Sequence, residues 1–303
     1  MKILICDKTE KEYIEQMRAA GLTVDVRDDI TPEELMTVLP AYDGMVVRSR
    51  TKVRQPLIDA CPNLKVIVRG GAGLDTIDLE YARSKGIVVM NTPLANSASV
   101  AELAIGYMFM LARSLYKATA TMKEEKWEKK AFTGVELGGK TLGLIGYRTI
   151  GHKTATLALA LGMKVLAYDP YVTSQNGAKL VTLDELLAEA DYISLHLPKT
   201  KESANMIGAA EFAKMKNGVR IINCARGGII NEDALYEALT SGKVAGAALD
   251  VFSEEPPTDW KLLKLDNVIG SPHIGAGTKE AQDRVGAEVA EKLINFAKNA
   301  QPA

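Results

Sequence analysis

Three residues in the last third of the chain have types suited to acid–base chemistry on an alcohol. Histidine is scarce, with only His152, His196 and His273. His273 lies in Ser271-Pro-His-Ile-Gly-Ala-Gly-Thr, just past a predicted strand end. Glu255 lies 18 residues earlier, in Leu249-Asp-Val-Phe-Ser-Glu-Glu-Pro-Pro, and Arg226 lies in Asn223-Cys-Ala-Arg-Gly-Gly. Each of these also follows a strand pattern. Ligands of α/β sheets gather beyond the carboxyl ends of strands, so the three side chains are expected to share a cleft. Hydride transfer from a C–OH group needs a base for the hydroxyl proton, and imidazole suits that near neutral pH. A carboxylate on the other ring nitrogen would orient the imidazole. A guanidinium would grip a substrate carboxylate with two parallel bonds and polarise the neighbouring carbonyl. His152 falls inside a helix pattern and reads as ordinary. His196, beside Leu197-Pro198 after a strand, is expected to line a cofactor pocket rather than do chemistry. Cys224 reads as packing or cofactor wall, because no base stands ready to activate it.

A second group reads as a dinucleotide site. Leu142-Gly-Leu-Ile-Gly-Tyr-Arg-Thr-Ile-Gly follows a predicted strand and opens a predicted helix. Gly146 would make the tight turn, Gly151 would permit close helix–strand packing, and a pyrophosphate would rest on the helix N-terminus. Asp169, 23 positions after Gly146, ends the next strand pattern. It would accept bonds from the adenosine ribose hydroxyls and repel a 2′-phosphate, which favours NAD over NADP. Arg148 stands where the fingerprint has its middle glycine. Its Cβ is expected to lift the cofactor or shift the loop, or else its guanidinium contacts phosphate directly.

These groups need a scaffold, and the rest of the chain supplies one. Its 303 residues suit about two domains. Thirty-seven basic and thirty-eight acidic residues nearly cancel, which argues against a general nucleic-acid binder. The three cysteines (Cys6, Cys61 and Cys224) do not make a disulfide framework, and no CxxC or other metal-ligand spacing occurs. The longest mostly apolar stretch, residues 100–112, contains Glu102 and falls short of a membrane span of roughly 20 residues. The N-terminus lacks a secretory pattern. A soluble, cytoplasmic protein is expected. Short Val- and Ile-rich runs mark strands at residues 2–6, 24–26, 45–47, 66–68 and 87–90. A second series follows at 141–145, 164–168, 192–195, 219–222, 246–249 and 267–270. Helix patterns lie between them, two opened by capping boxes (Thr31 to Glu34 and Thr182 to Glu185). Unalternated apolar strands separated by helices imply parallel sheets. The fold class is therefore α/β, with two doubly wound parallel-sheet domains. The amphipathic helix over 279–298 is expected to return to the first domain. The predicted organisation is 1–95 plus 276–303 for one domain and 96–275 for the other.

Taken together, the motifs resemble the D-isomer-specific 2-hydroxyacid dehydrogenase family along essentially the whole chain. The matching stretches are the Gly146 to Gly151 turn, Asn223-Cys-Ala-Arg-Gly-Gly, Ala247-Ala-Leu-Asp-Val-Phe-Ser-Glu-Glu-Pro-Pro and Pro272-His-Ile-Gly-Ala. The resemblance implies a flavodoxin-like substrate domain, a Rossmann NAD-binding domain, a homodimer, and Arg226, Glu255 and His273 as the catalytic set. It implies NAD contacts from Gly146, Arg148, Thr149, Ile150, Gly151, Asp169, Leu197, Cys224, Ala225, Asp250 and Gly275. Thr149 stands where the family usually has arginine, so with Arg148 the charge looks displaced by one position.

Val47-Arg-Ser-Arg-Thr-Lys-Val, Arg69-Gly-Gly-Ala-Gly-Leu-Asp, Asn91-Thr-Pro-Leu-Ala-Asn-Ser and Lys126-Trp-Glu-Lys-Lys-Ala-Phe are similar to the branch that oxidises 3-phospho-D-glycerate. That likeness implies substrate contacts from Arg48, Ser49, the Gly70-Gly71 backbone and Asn96, with Lys129 or Lys130 reaching the phosphate from a partner subunit. The residue types agree, since Arg48 and Arg50 around Ser49 at a strand end suit a phosphate dianion. Larger relatives carry a C-terminal regulatory extension, which is not expected here. Two other readings keep the same residues: a hydroxypyruvate or glyoxylate reductase, and an NAD-sensing, corepressor-like interaction protein.

Overall fold

Apolar runs without alternation bury both faces of a strand, and here they assemble into two all-parallel sheets. The computed structural model describes residues 1–173 and 177–299. The chain divides into two compact units, Met1–Asn96 with the segment from Ala276, and Ser97–Gly275. Asn96 thus lies with the first unit.

The first unit is built on β1 (Lys2–Ile5), β2 (Thr23–Val26), β3 (Gly44–Val47), β4 (Val66–Arg69) and β5 (Val88–Asn91), in the order β2-β1-β3-β4-β5. Ile3, Leu4, Ile5, Met45 and Ile67 lose all contact with solvent. Helix Pro32–Val38 opens with the capping box read from the sequence, Thr31 and Glu34 each satisfying the other's backbone N–H. The C-terminal helix Lys279–Asn299 packs Val285, Val289 and Leu293 into the same core as Ile3, Ile5 and Val68. Gly286 lets the helix approach closely, because a Cβ there would lie 2.1 Å from the Tyr13 ring.

The second unit holds β6 (Thr141–Ile145), β7 (Lys164–Tyr168), β8 (Lys179–Leu180), β9 (Tyr192–Leu195), β10 (Val219–Asn223), β11 (Val244–Leu249) and β12 (Val268–Gly270). Their order is β12-β11-β10-β9-β6-β7-β8, so the winding direction reverses between β6 and β9. β8 was not anticipated: it is a two-residue edge strand with no apolar run to announce it. Helix Ser97–Arg113 lays Ala104, Met108 and Leu111 against Leu142, Ile222 and Ala248. Among the described residues, no single helix is long and apolar enough to cross a membrane.

Candidate active site

The order of the second sheet explains the catalytic constellation. β10, β11 and β12 are adjacent and parallel. Arg226, Glu255 and His273 follow their three C-terminal ends. His273 Nδ1 and Glu255 Oε2 are 2.7 Å apart, which leaves Nε2 as the open ring nitrogen. The other Glu255 oxygen accepts the Phe252 N–H at 3.2 Å. Burial alone would raise the Glu255 carboxyl. The bond to His273, that ring's charge, the Phe252 amide and the nearby Arg226 guanidinium outweigh it, and hold the group below its ordinary range.

The loops meet because glycine allows it. A Cβ on Gly227 would lie 1.7 Å from the Phe252 carbonyl oxygen, so the Arg226 loop and the Glu255 loop touch backbone to backbone. Arg226 is fixed by its neighbours: Asn223, itself buried, donates to the Arg226 carbonyl at 3.0 Å and accepts from the Ala225 N–H at 3.0 Å. The Arg226 guanidinium also donates to the Ala225 carbonyl at 2.7 Å.

The nucleotide turn occupies the point where the strand order reverses, which is where α/β sheets take their ligands. Gly146 has φ +93°, and a Cβ there would meet the His196 carbonyl oxygen at 2.4 Å. A Cβ on Gly151 would meet the Gly146 carbonyl oxygen at 2.2 Å. Helix Thr149–Ala160 starts without a side-chain cap, so its first-turn amides, Thr149 and Ile150 among them, face outward unclaimed by any side chain. Asp169 follows β7, and its two oxygens accept the Tyr147 and Tyr171 N–H groups at 2.9 Å each. The carboxylate is thereby oriented, and each oxygen keeps a lone pair for a ribose hydroxyl. Uncapped amides over a cradle that any Cβ would fill, with an acid at the end of the adjacent strand, fit a dinucleotide.

Arg148 neither breaks the turn nor shifts it into a strained backbone. Its φ of -86° and ψ of -153° are extended values open to any residue. Its guanidinium lies 5.2 Å from the centre of the Tyr171 ring, a partner that sequence reading missed. His196 is half-buried beneath the turn, with its Nδ1 shielded from solvent. Its Nε2 faces the Ser194 hydroxyl at 3.0 Å, and burial pushes the imidazole down to about 4. Cys224 is buried and its thiol is pushed up by that burial, as expected for a wall residue rather than a nucleophile. Leu197 and Ala225 border the same strand ends. Asp250 is fully buried, and its carboxylate accepts the Ile274 and Gly275 N–H groups at 2.8 Å each.

The first unit treats its expected substrate residues unequally. Arg48 stays half-buried at the end of β3, its backbone N–H donating to Asp7 at 2.7 Å. Burial pushes its guanidinium below its ordinary value, against the pull of Glu10 and Asp7. Ser49 is exposed beside it. Arg50 departs from expectation. Its guanidinium faces Asp7 and donates to the carbonyls of Cys6, Asp28 (2.6 Å) and Ile30 (3.0 Å), so it ties loops together instead of standing ready for a phosphate. The amides of Gly70 and Gly71 are also committed, to the Val47 carbonyl at 2.9 Å and the Thr92 hydroxyl at 2.7 Å. Asn96 holds its Oδ1 buried without a hydrogen-bond partner, an acceptor suited to a donor group. Lys129 and Lys130 lie exposed in the short turn Lys129–Phe132.

Residues 105–275 match the model of the D-isomer specific 2-hydroxyacid dehydrogenase, NAD binding domain. The chain is 50% identical to a D-3-phosphoglycerate dehydrogenase of Archaeoglobus fulgidus, over 98% of this chain and 58% of that one. It is also 50% identical to a hydroxypyruvate reductase of Thermotoga maritima, over 97% of both. The crystal structure of D-lactate dehydrogenase from Aquifex aeolicus, complexed with NAD and lactic acid, superposes with a TM-score of 0.87 at 32% identity, covering 99% of this chain and 96% of that one. The chain belongs to the D-isomer specific 2-hydroxyacid dehydrogenase family, and NAD is the cofactor of its second unit. It spans a little over half the length of the archaeal phosphoglycerate dehydrogenase that it matches.

Proposed function

We propose that this protein is an NAD-dependent dehydrogenase that oxidises 3-phospho-D-glycerate to 3-phosphohydroxypyruvate and reduces the keto acid in the reverse direction. The observation that carries this reading is the 2.7 Å His273–Glu255 pair beside Arg226 at three adjacent strand ends. When bound, NAD supplies a hydride acceptor at nicotinamide C4. Glu255 holds Nδ1, so Nε2 of His273 takes the proton from the C2 hydroxyl as the hydride leaves C2. Arg226 grips the substrate carboxylate and polarises the carbonyl that forms. Arg48 meets the phosphate, Ser49 adds a hydroxyl, and Asn96 donates or accepts beside them. The oxidation releases one proton overall, so rising pH favours it.

The hydroxypyruvate reductase of equal identity supports a second reading, a reductase of unphosphorylated keto acids with the same catalytic set. Initial rates with phosphoglycerate, glycerate, lactate and glyoxylate–NADH, measured side by side, separate the two. Arg48→Ala is expected to lower kcat/KM for phosphoglycerate by roughly 100-fold and leave glycerate within a few-fold. Equal losses on both substrates would remove Arg48 from the phosphate. An NAD sensor would bind NADH and turn over none of them.

The same reading includes a homodimer, with Lys129 offered to the partner's substrate. It is supported by the exposed apolar residues Leu115, Met122 and Trp127 in the second unit. It also includes a cytoplasmic setting, which suits three buried free thiols.

A further inference from the structure

We propose that Tyr107 is a positioning residue for His273, acting through Ser271 and Asp250; the inference rests on the reading of His273 as the base. Tyr107 lies inside helix Ser97–Arg113, buried, with its hydroxyl bonded to the Ser271 hydroxyl. Ser271 in turn donates to Asp250 Oδ1. A serine hydroxyl has one proton, and Asp250 takes it. The direction of the first bond follows: Tyr107 donates to Ser271, which donates to Asp250. Burial pushes the Tyr107 hydroxyl up to about 12 despite the bond to Ser271, so it stays a donor throughout the working range.

The same carboxylate accepts the N–H groups of Ile274 and Gly275 at 2.8 Å each. Asp250 therefore holds the chain on both sides of His273. Between those anchors His273 takes φ +53°, a left-handed value that costs free energy in any residue with a Cβ. Such a conformation persists where the surroundings over-determine it. Asp250, locked in place by the Tyr107–Ser271 relay, is that constraint. The imidazole is thus aimed by a chain of three side chains, buried at Tyr107 and Asp250 and half-buried at Ser271, that starts on a different element from any catalytic loop. A Cβ on Gly275 would come within 3.0 Å of the Asp250 carboxylate, so even the last anchor is fitted to this arrangement.

The test uses Tyr107→Phe, which removes one oxygen, and Ser271→Ala, with Ser271→Thr as the conservative rescue. Tyr116→Phe is the control, since Tyr116 donates to the Asp266 carbonyl outside the network. The readouts are kcat, the NADH dissociation constant by fluorescence, and the downfield proton resonance of the His273–Glu255 bond by NMR. Tyr107→Phe is expected to lower kcat by roughly five- to tenfold, the worth of one buried bond. Any fall in NADH affinity should be smaller than the fall in kcat, and the downfield resonance should move. Ser271→Thr should retain kcat, and the double variant should lose no more than Ser271→Ala alone. An unmoved resonance with kcat within twofold in Tyr107→Phe overturns the proposal, as do additive losses in the double variant. Full turnover in His273→Gln would instead overturn the reading of the base, and would leave the resonance shift to be judged by itself.

Discussion

The nucleotide turn and the His273 loop sit at strand ends of the same sheet, but they are shaped by opposite means. At the turn, position is set by what is missing: Gly146 and Gly151 leave no room for a Cβ against the His196 and Gly146 carbonyls. At the His273 loop, position is set by bonded side chains, with Asp250 gathering Ser271, Ile274 and Gly275. The difference explains Arg148. A site shaped by exclusion tolerates a side chain that points away, and Arg148 rests on Tyr171 with an extended backbone. A site shaped by bonds has no such tolerance, because each deleted donor frees a buried acceptor.

The sharpest break in that comparison is Gly151→Ala. Its methyl would lie 2.2 Å from a backbone oxygen, and NADH affinity should fall by roughly 100-fold in a fluorescence titration. An affinity within threefold would show that the turn yields.

His196, half-buried under the turn, offers the next test. Its folded value of about 4 lies below the ordinary 6.5, so between these the unfolded chain binds a proton that the folded chain refuses. Stability contributed by the neutral ring is fully present above 6.5 and is lost as pH falls through about 4. The loss should reach about 3 kcal/mol in urea denaturation across that interval. In His196→Gln the slope over the same interval should be correspondingly flatter; an identical slope would exclude this ring as its source.

The smallest effect belongs to Arg148→Gly, which should change the NADH dissociation constant by less than roughly fivefold. A larger gain in affinity would mean that the side chain obstructs the cofactor after all.

What was legible in the sequence followed from periodicity and from glycine. Short Val- and Ile-rich runs marked every strand except β8, whose two residues carry no pattern, although β2, as Val-Asp-Val, breaks the apolar run. The Gly227 contact that joins two catalytic loops is visible as Arg226-Gly-Gly, although its 1.7 Å reason is not. Arg50 was misread because a strand-end arginine looks free until the carbonyls of Cys6, Asp28 and Ile30 are known to converge on it. Tyr107 was invisible for a different reason: within an apolar helix it reads as core, and only the neighbouring sheet reveals where its hydroxyl goes. Tertiary hydrogen bonds between residues 164 positions apart leave no trace in local pattern.

The central claim is that His273 moves the proton. It is tested most directly by single-turnover hydride transfer in His273→Gln, with NADH affinity measured on the same sample. The account predicts a rate lower by roughly a thousandfold near neutral pH, with NADH binding unchanged. A rate within tenfold of the parent protein's would contradict it.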